Sequence, residues 1–199
     1  DMDGEKMSKS LGNVRTVREL SGRYPGEVLR FALLAAHYRS PLNFSVEALE
    51  SAQDALDAFY GALRPHSGID PAELKPINTA VYRALLDDIN TPEAIATLHA
   101  TAKTLNKATD AKEIADAKAD LLIGGTLLGL LGEDPETWFQ RGDAQDGPAA
   151  EEIEALIEER LLARSTRDFD RADEIRQTLE ERGVLLEDGP GGTQWRRRG

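Results

Sequence analysis

The sequence predicts a mainly α-helical protein, with an antiparallel helix bundle after an amino-terminal polar loop and then a small helical hairpin plus a β-hairpin. Three observations predict this fold class. Apolar residues recur at three- and four-residue spacing, residues that start or stop helices separate those stretches, and only the last stretch reads as two short strands around a glycine-rich turn. With 199 residues and 40% hydrophobic content, the chain is large enough to bury a core.

Composition excludes several function classes. The net charge of -12 argues against nonspecific nucleic-acid binding, so a nucleic-acid partner would be bound through local basic groups and unpaired bases. No apolar run could cross a bilayer and no basic and then apolar leader is present, so we expect a cytoplasmic protein without a membrane partner. There is no cysteine and the three histidines lie far apart, so we expect no metal site within the chain.

Residues 6–13, which read KMSKSLGN, are the most informative stretch for function. Lys6 and Lys9 are three residues apart, so both ammonium groups can close on a polyphosphate, and the hydroxyl groups of Ser8 and Ser10 can donate hydrogen bonds. A lysine that reaches phosphate oxygens only as negative charge grows on them lowers the reaction barrier. The stretch predicts a phosphate-handling loop for phosphoryl or adenylyl transfer, and the alternative is a surface turn ahead of a helix.

Helix signals follow the loop in order, each with a start residue and an apolar stripe. The first three predicted helices are Thr16–Leu20, one opened by Pro25 and running through Leu34, and one capped by Ser45 and running to about Leu63. The next three are Ile77–Ile89 with Val81, Leu85 and Leu86 inward, one capped by Thr91 with Pro92 at its first position, and one from about Asp110 to Leu131. A bend or break is expected at Gly124 and Gly125. Short connections between such helices predict an antiparallel bundle.

The carboxyl end has a different pattern. Its predicted elements are helices over Ala149–Arg167 and Asp168–Arg182, a C-cap at Gly183, and strands at Val184–Glu187 and Thr193–Arg197. The apolar stripe of the first of these helices is Ile153, Leu156, Ile157 and Leu161, and Trp195 is expected to close the small core. We therefore divide the chain into residues 1–44, a helical bundle over 45–131, a linker over 132–148 and a carboxy-terminal module over 149–199.

Several of these segments resemble one enzyme family. Lys6–Ser10 match the KMSKS signature of class I aminoacyl-tRNA synthetases, and their flanking residues resemble the cysteine-specific branch. The segments 37–44 (HYRSPLNF) and 87–94 (DDINTPEA) are also similar to cysteinyl-tRNA synthetases. The carboxy-terminal module is similar through the blocks Ala163-Arg164, Asp168-Phe169, Ala172-Asp173, Ile175-Arg176, Leu186–Pro190 and Gly192–Arg197, at matching spacing. Because the loop leaves no room for a nucleotide-binding fold before it, we expect the carboxy-terminal fragment of a longer enzyme.

The resemblance implies a cysteine-tRNA ligase, which activates cysteine with ATP to cysteinyl-adenylate and then transfers the cysteinyl group to tRNA(Cys). Residues 1–44 would carry the KMSKS loop and a stem-contact region. Lys9, and next Lys6, would be catalytic and would bind the ATP phosphates together with Ser8 and Ser10. In the family, the first nucleotide-binding signature and a zinc ion that selects the cysteine thiol lie upstream. We therefore expect this part to act as a monomer that makes no adenylate by itself.

The resemblance also makes residues 149–199 an anticodon-binding module that reads a G-C-A anticodon. Arg164 and Asp173 would contact the first anticodon base and Asp188 the second, through hydrogen bonds to base edges. Phe169 would stack on a base, at a position where the family can have tryptophan. The residues alone allow other interpretations, namely an exposed Arg164–Asp173 ion pair, a turn-starting Asp188 and a Phe169 that belongs to the core.

Two other functions stay open at this point. One is a cysteine ligase of mycothiol biosynthesis, which resembles the family but acts on an amino sugar and lacks a comparable anticodon end. The other is a stand-alone tRNA-binding or helical interaction module that keeps the loop without its chemistry.

Overall fold

A computed structural model of the chain describes residues 16–141, 147–189 and 192–197. The predicted fold class is confirmed, because this part of the chain is mostly helical and ends in one antiparallel β-hairpin. The candidate loop residues Lys6, Ser8, Lys9 and Ser10 lie outside the described residues. The chain divides into two compact units, residues 1–133 and 134–199.

The first unit is a helical bundle. Its helices are α1 (Val17–Ser21), α2 (Gly26–Leu34), α3 (Val46–Leu63), α4 (Ala80–Leu86), α5 (Thr91–Leu105) and α6 (Ala111–Leu128). Large side chains from α3, α5 and α6 fill the core, among them the fully buried Leu56, Phe59, Tyr60, Leu98 and Leu121. The apolar stripes of these helices therefore face one another, as the spacing in the sequence predicts.

Two details of the bundle differ from the sequence predictions. Asn90, and not Thr91, caps α5, because the Asn90 side chain accepts a hydrogen bond from the Glu93 backbone N–H at 3.1 Å. Leu86 was predicted to point inward but is 70% exposed. Helix α4 ends at Leu86, since Asp88 and Ile89 adopt positive φ angles of 51° and 53°, which turn the chain away from the helix.

The two segments with family resemblance in this unit, 37–44 and 87–94, meet in space. The Tyr38 hydroxyl donates to Asp88 Oδ1 at 2.6 Å, and Arg39 Nη2 donates to the same oxygen at 3.0 Å. The hydrogen bond from Tyr38 to the Asp88 carboxylate raises the pKa of the Tyr38 hydroxyl. The left-handed turn that ends α4 therefore places Asp88 against the connection that follows α2.

Glu27 joins three parts of the bundle. Its carboxylate accepts hydrogen bonds from the Tyr60 hydroxyl on α3 at 3.0 Å, from the Leu131 N–H at 3.1 Å and from the Gly132 N–H at 3.0 Å. The segment after α6 is thereby held against α2 and α3. A carboxylate suits this position because its two oxygens can accept about four hydrogen bonds.

Gly124 lets α6 pack closely against its neighbours. The helix runs unbroken to Leu128, so the expected split at Gly124 and Gly125 is wrong. A Cβ atom at position 124 would lie 2.8 Å from Val81 Cγ2 and 2.9 Å from Leu98 Cδ2. These two buried side chains occupy the space that a larger residue would need, so close approach is the reason for glycine here.

We expect Gly124→Ala to lower the free energy of unfolding by up to about 2 kcal/mol, because overpacking costs about 1 to 3 kcal/mol and the gain in helix propensity returns about 1 kcal/mol. Urea denaturation followed by far-ultraviolet circular dichroism measures this change. Gly26→Ala is the matched control, since a Cβ atom there has nothing within 4 Å. An equal loss of stability in both variants would contradict the packing argument.

The second unit contains α7 (Pro135–Gln140), α8 (Ala150–Ser165), α9 (Phe169–Glu181), β1 (Val184–Gly189) and β2 (Gly192–Arg197). Its core joins α8, α9 and the hairpin through Ile153, Ile157, Ile175, Leu179, Val184, Leu186 and Trp195. Trp195 is 2% exposed, which confirms its predicted place in the core. Residues 132–148, predicted to be a linker, include α7, which contacts β2 through a hydrogen bond of 3.2 Å from Gln194 to Glu136.

Candidate anticodon-binding site

A cleft in the second unit brings together all four residues that the sequence comparison with the family selects there, Arg164, Phe169, Asp173 and Asp188. The cleft has a volume of about 410 Å³, and its other lining residues are Arg160, Ala172 and Arg176. Helix α8 supplies the first two arginines, α9 supplies the residues from 169 to 176, and β1 supplies Asp188. Three elements that are separate in sequence thus form one polar site.

The turn between α8 and α9 sets the geometry of the cleft. The Asp168 N–H donates to the Ala163 carbonyl at 2.8 Å and the Arg167 N–H donates to the Arg164 carbonyl at 3.2 Å, which is the hydrogen-bond pattern of a Schellman motif. Arg167 has a φ of 63°, in the left-handed region that this motif requires. The Asp168 side chain then caps α9 through the Arg171 N–H at 3.1 Å. This turn places Phe169 at the first position of α9, at the rim of the cleft.

Asp188 is the hydrogen-bonding centre of the cleft. Arg160 donates from Nη1 to Oδ1 at 2.9 Å and from Nη2 to Oδ2 at 2.7 Å, so the two side chains form a two-point pair. Thr193 lies opposite Asp188 in the hairpin register and donates its hydroxyl to Oδ1 at 2.7 Å. Arg164 Nη1 donates to Oδ2 at 3.3 Å, the longest of these bonds. The carboxylate therefore accepts about as many hydrogen bonds as its lone pairs allow.

The electrostatics of the cleft keep Asp188 ionised. Hydrogen bonds from Arg160 and then Thr193 hold the pKa of the Asp188 carboxyl well below its usual range, and the charges of Arg160 and Arg164 act in the same direction. The hydrogen bond to Asp188 raises the pKa of Arg160. Arg160 is only 4% exposed, so the interaction lies partly inside the unit, where solvent screens it less.

Three family models match parts of the chain. Residues 1–54 match the catalytic domain of class I (C) tRNA synthetases, residues 80–132 match the DALR domain, and residues 146–196 match the cysteinyl-tRNA ligase anticodon binding domain. The chain is thus similar to cysteinyl-tRNA synthetases over these ranges. The third match covers α8, α9 and most of the β-hairpin, the elements that form the cleft. This match favours a synthetase over a mycothiol ligase, which lacks a comparable anticodon end.

Curated cysteine-tRNA ligases are similar to nearly all of the chain. The ligase of Saccharophagus degradans is 50% identical over 99% of the chain and 43% of its own length. That of Paramagnetospirillum magneticum is 50% identical over 98% of the chain and 43% of its length, and that of Rhodospirillum rubrum is 48% identical over the same shares. The chain thus spans about two fifths of the length of these relatives.

The environments of the candidate residues differ from those that the other interpretations of these residues require. Phe169 is 59% exposed, so it is not a core residue. Arg164 pairs with Asp188, and within the part of the chain that the structure describes it makes no ion pair with Asp173. The Asp173 carboxylate is exposed and makes no hydrogen bond with the described residues. Asp188 belongs to strand β1 and not merely to a turn.

Sequence reasoning missed Arg160 and Arg176. The buried face of α8 consists of Ile153, Ile157, Arg160 and Ala163, whereas Leu161, predicted on the apolar stripe, is 46% exposed. Arg160 therefore takes the place on the core face that the pattern gives to an apolar residue. The available signal was its position four residues before Arg164, which puts both arginines on one face of a helix. Arg176 follows Asp173 by one helical turn and lies in a block already used for the family resemblance.

Within residues 16–141, 147–189 and 192–197, no group of three or more histidine, cysteine, aspartate or glutamate side chains could hold a metal ion. None of the described helices is long and apolar enough to cross a membrane.

Proposed function

We propose that the chain provides the anticodon-reading part and the ATP-phosphate loop of a cysteine-tRNA ligase. The observation that carries the proposal is the cleft of the second unit, where Arg164, Phe169, Asp173 and Asp188 line one surface. Each has the chemistry that its expected role needs: an exposed aromatic ring for stacking, an arginine for base acceptors and carboxylates for base donors. The match to an anticodon binding domain over the same elements supports the proposal.

In the proposed reaction, the carboxylate of cysteine attacks the α-phosphate of ATP and displaces pyrophosphate, which gives cysteinyl-adenylate. A hydroxyl of the terminal ribose of tRNA(Cys) then takes the cysteinyl group, and AMP leaves. Lys9 and Lys6 neutralise the charge that develops on the ATP phosphates, and Ser8 and Ser10 donate hydrogen bonds to them. Selection of the cysteine thiol by zinc belongs to residues outside this chain. We also propose that the complete enzyme is a monomer in the cytoplasm.

The cleft offers separate contacts for the first two anticodon bases. The first base, guanine, presents N–H donors to the free Asp173 carboxylate and acceptors to the Arg164 guanidinium. The second base, cytosine, presents its amino group to Asp188. The exposed Phe169 ring stacks on an unpaired base, an interaction of about 1 to 3 kcal/mol for aromatic side chains.

Asp188 can accept a bond from cytosine only if one of its present donors leaves. Arg164 is the donor that can leave, because its bond is the longest at 3.3 Å and its side chain is 48% exposed. Arg160 is buried and Thr193 is fixed by the hairpin register. Binding of the anticodon therefore exchanges the Arg164 bond for the cytosine bond and releases Arg164 toward the first base.

The test is binding of the chain to a cysteine tRNA transcript and to transcripts with a substituted anticodon, all at one near-physiological salt concentration. We expect the G-C-A anticodon to bind about tenfold or more tightly than either single substitution. Phe169→Ala should weaken binding to all transcripts by about tenfold, because stacking is tolerant of sequence. Leu162→Ala is the control, since Leu162 is an exposed apolar residue of α8 outside the cleft. Equal affinity of the chain for every anticodon would overturn the proposal.

A further inference from the structure

We infer that Arg160 is a positioning residue for the second anticodon base: it holds the Asp188 carboxylate at the cleft wall in the orientation that selects cytosine. This inference rests on the proposed function and extends it to a residue that is itself buried. Both terminal nitrogens of Arg160 are already bonded to Asp188, at 2.9 and 2.7 Å. Its Nη1 atom also donates to the Thr193 hydroxyl at 3.4 Å, and the side chain is only 4% exposed, so Arg160 acts on a base through Asp188.

The two-point geometry is what makes Arg160 suited to positioning. A single hydrogen bond lets a carboxylate turn about its bond to the chain, whereas two parallel bonds from one planar guanidinium fix the plane of the carboxylate. Thr193 adds a third bond at 2.7 Å from the neighbouring strand. The long bond from Arg164 is made to Oδ2 of Asp188. Oδ2 is therefore the oxygen that can replace one of its present donors with the amino group of a base.

The position of Arg160 is poorly explained by stability alone. It lies on the core face of α8 after Ile153 and Ile157, where an apolar side chain would extend the core. Burying a charge pair costs desolvation, and well-packed apolar residues are often at least as stable in such places. In addition, the Arg160 Nε atom is buried and has no hydrogen-bond partner among the described residues. A local conflict of this kind is typical of functional sites.

The test compares Arg160→Met and Arg160→Lys with the parent chain on three transcripts: G-C-A, one with uracil as the second anticodon base and one with adenine as the first. Uracil replaces the amino donor of cytosine with an acceptor, so it probes Asp188 directly. Arg182→Met is the matched control, because Arg182 makes the same kind of two-point pair with Glu152, at 2.6 and 3.1 Å, outside the cleft.

We expect the preference for cytosine over uracil to fall from about tenfold or more to about twofold in Arg160→Met, while the preference for guanine at the first base persists. Arg160→Lys should show an intermediate loss, since an ammonium group cannot form the planar two-point pair. The control should keep both preferences. A merely structural role would weaken the binding of all three transcripts by the same factor. That outcome, or an unchanged second-base preference, overturns the inference.

A double-mutant cycle keeps the test decisive if Arg160→Met fails to fold. Asp188→Asn should lose the second-base preference, and adding Arg160→Lys to it should cause no further loss, because the two residues act as one unit. Additive losses would mean that Arg160 acts by another route. If the parent chain shows no preference at either base, both the proposed function and the inference are wrong. If the parent shows both preferences and Arg160→Met keeps them in full, only the inference is wrong.

Discussion

Asp188→Ala is expected to destabilise the second unit by about 3 kcal/mol, because it leaves the buried Arg160 guanidinium without its counter-charge. Removal of one partner from a fully buried pair costs about 3 to 5 kcal/mol, and the 37% exposure of the Asp188 side chain places this case at the lower end. Urea unfolding followed by tryptophan fluorescence measures the effect selectively, because both tryptophans, Trp138 and Trp195, belong to the second unit.

Glu152→Ala is the matched control for this prediction. Glu152 accepts two bonds from Arg182, but both side chains are substantially exposed, at 48% and 40%. An exposed ion pair contributes about 0 to 1 kcal/mol, since water solvates the partner that remains. Similar losses in the two variants would show that burial of Arg160 does not determine the cost.

The same pair predicts how stability depends on pH. The pKa of the Asp188 carboxyl is lowered in the folded state, so in the range below about pH 4 the unfolded chain takes up a proton that the folded state does not. The stabilising contribution of Asp188 is therefore complete above the unfolded pKa and is lost as pH falls toward the folded pKa. The difference in unfolding free energy between the parent and Asp188→Asn should be constant from about pH 5 to pH 7 and shrink below about pH 4. A difference that stays constant down to pH 3 would contradict this linkage.

Local signals predicted most of the helices, because their start residues act over three or four positions. Ser45 caps α3 through the Ala48 N–H at 3.2 Å, as its place before an apolar stripe predicts. Asn90 and Thr91 show the limit of such signals, since both are good capping residues and one position separates them. The end of α4 was also missed, because Asp88 and Ile89 adopt positive φ angles there, and the partners of Asp88, Tyr38 and Arg39, are distant in sequence.

The candidate site shows the same division between local and distant information. Family resemblance selects Arg164, Phe169, Asp173 and Asp188, and the fold brings them to one cleft. Helical spacing places Arg160 on one face with Arg164 but does not predict that it is buried, because a charged residue is expected on the solvent side of a helix unless a partner is known. Its partner, Asp188, is 28 residues away on a strand. Only the packing of α8 against the hairpin shows that this arginine faces inward.

Lys9→Ala in the full-length enzyme is expected to slow cysteinyl-adenylate formation by about 100- to 1,000-fold, the usual effect of removing one group that stabilises transition-state charge. The physical reason is differential binding. As the bond between the α- and β-phosphates of ATP breaks, negative charge grows on the leaving pyrophosphate, and an ammonium group on a long side chain can follow that charge. An interaction that strengthens only at this stage contributes to the rate and little to ATP affinity.

ATP-pyrophosphate exchange in the presence of cysteine measures this prediction, and the expected result is a large fall in kcat with a small change in the KM for ATP. Lys103→Ala is the control, because it removes the same charge from an exposed position on α5. A rise in KM without a change in kcat would mean that Lys9 contributes to ground-state binding of ATP. If neither kcat nor KM changes, Lys9 takes no part in the reaction. Anticodon preference should be the same in Lys9→Ala and the parent, since the loop and the cleft act on different parts of the reaction. The two proposed functions of the chain can therefore be tested separately, the loop by exchange kinetics and the cleft by transcript binding.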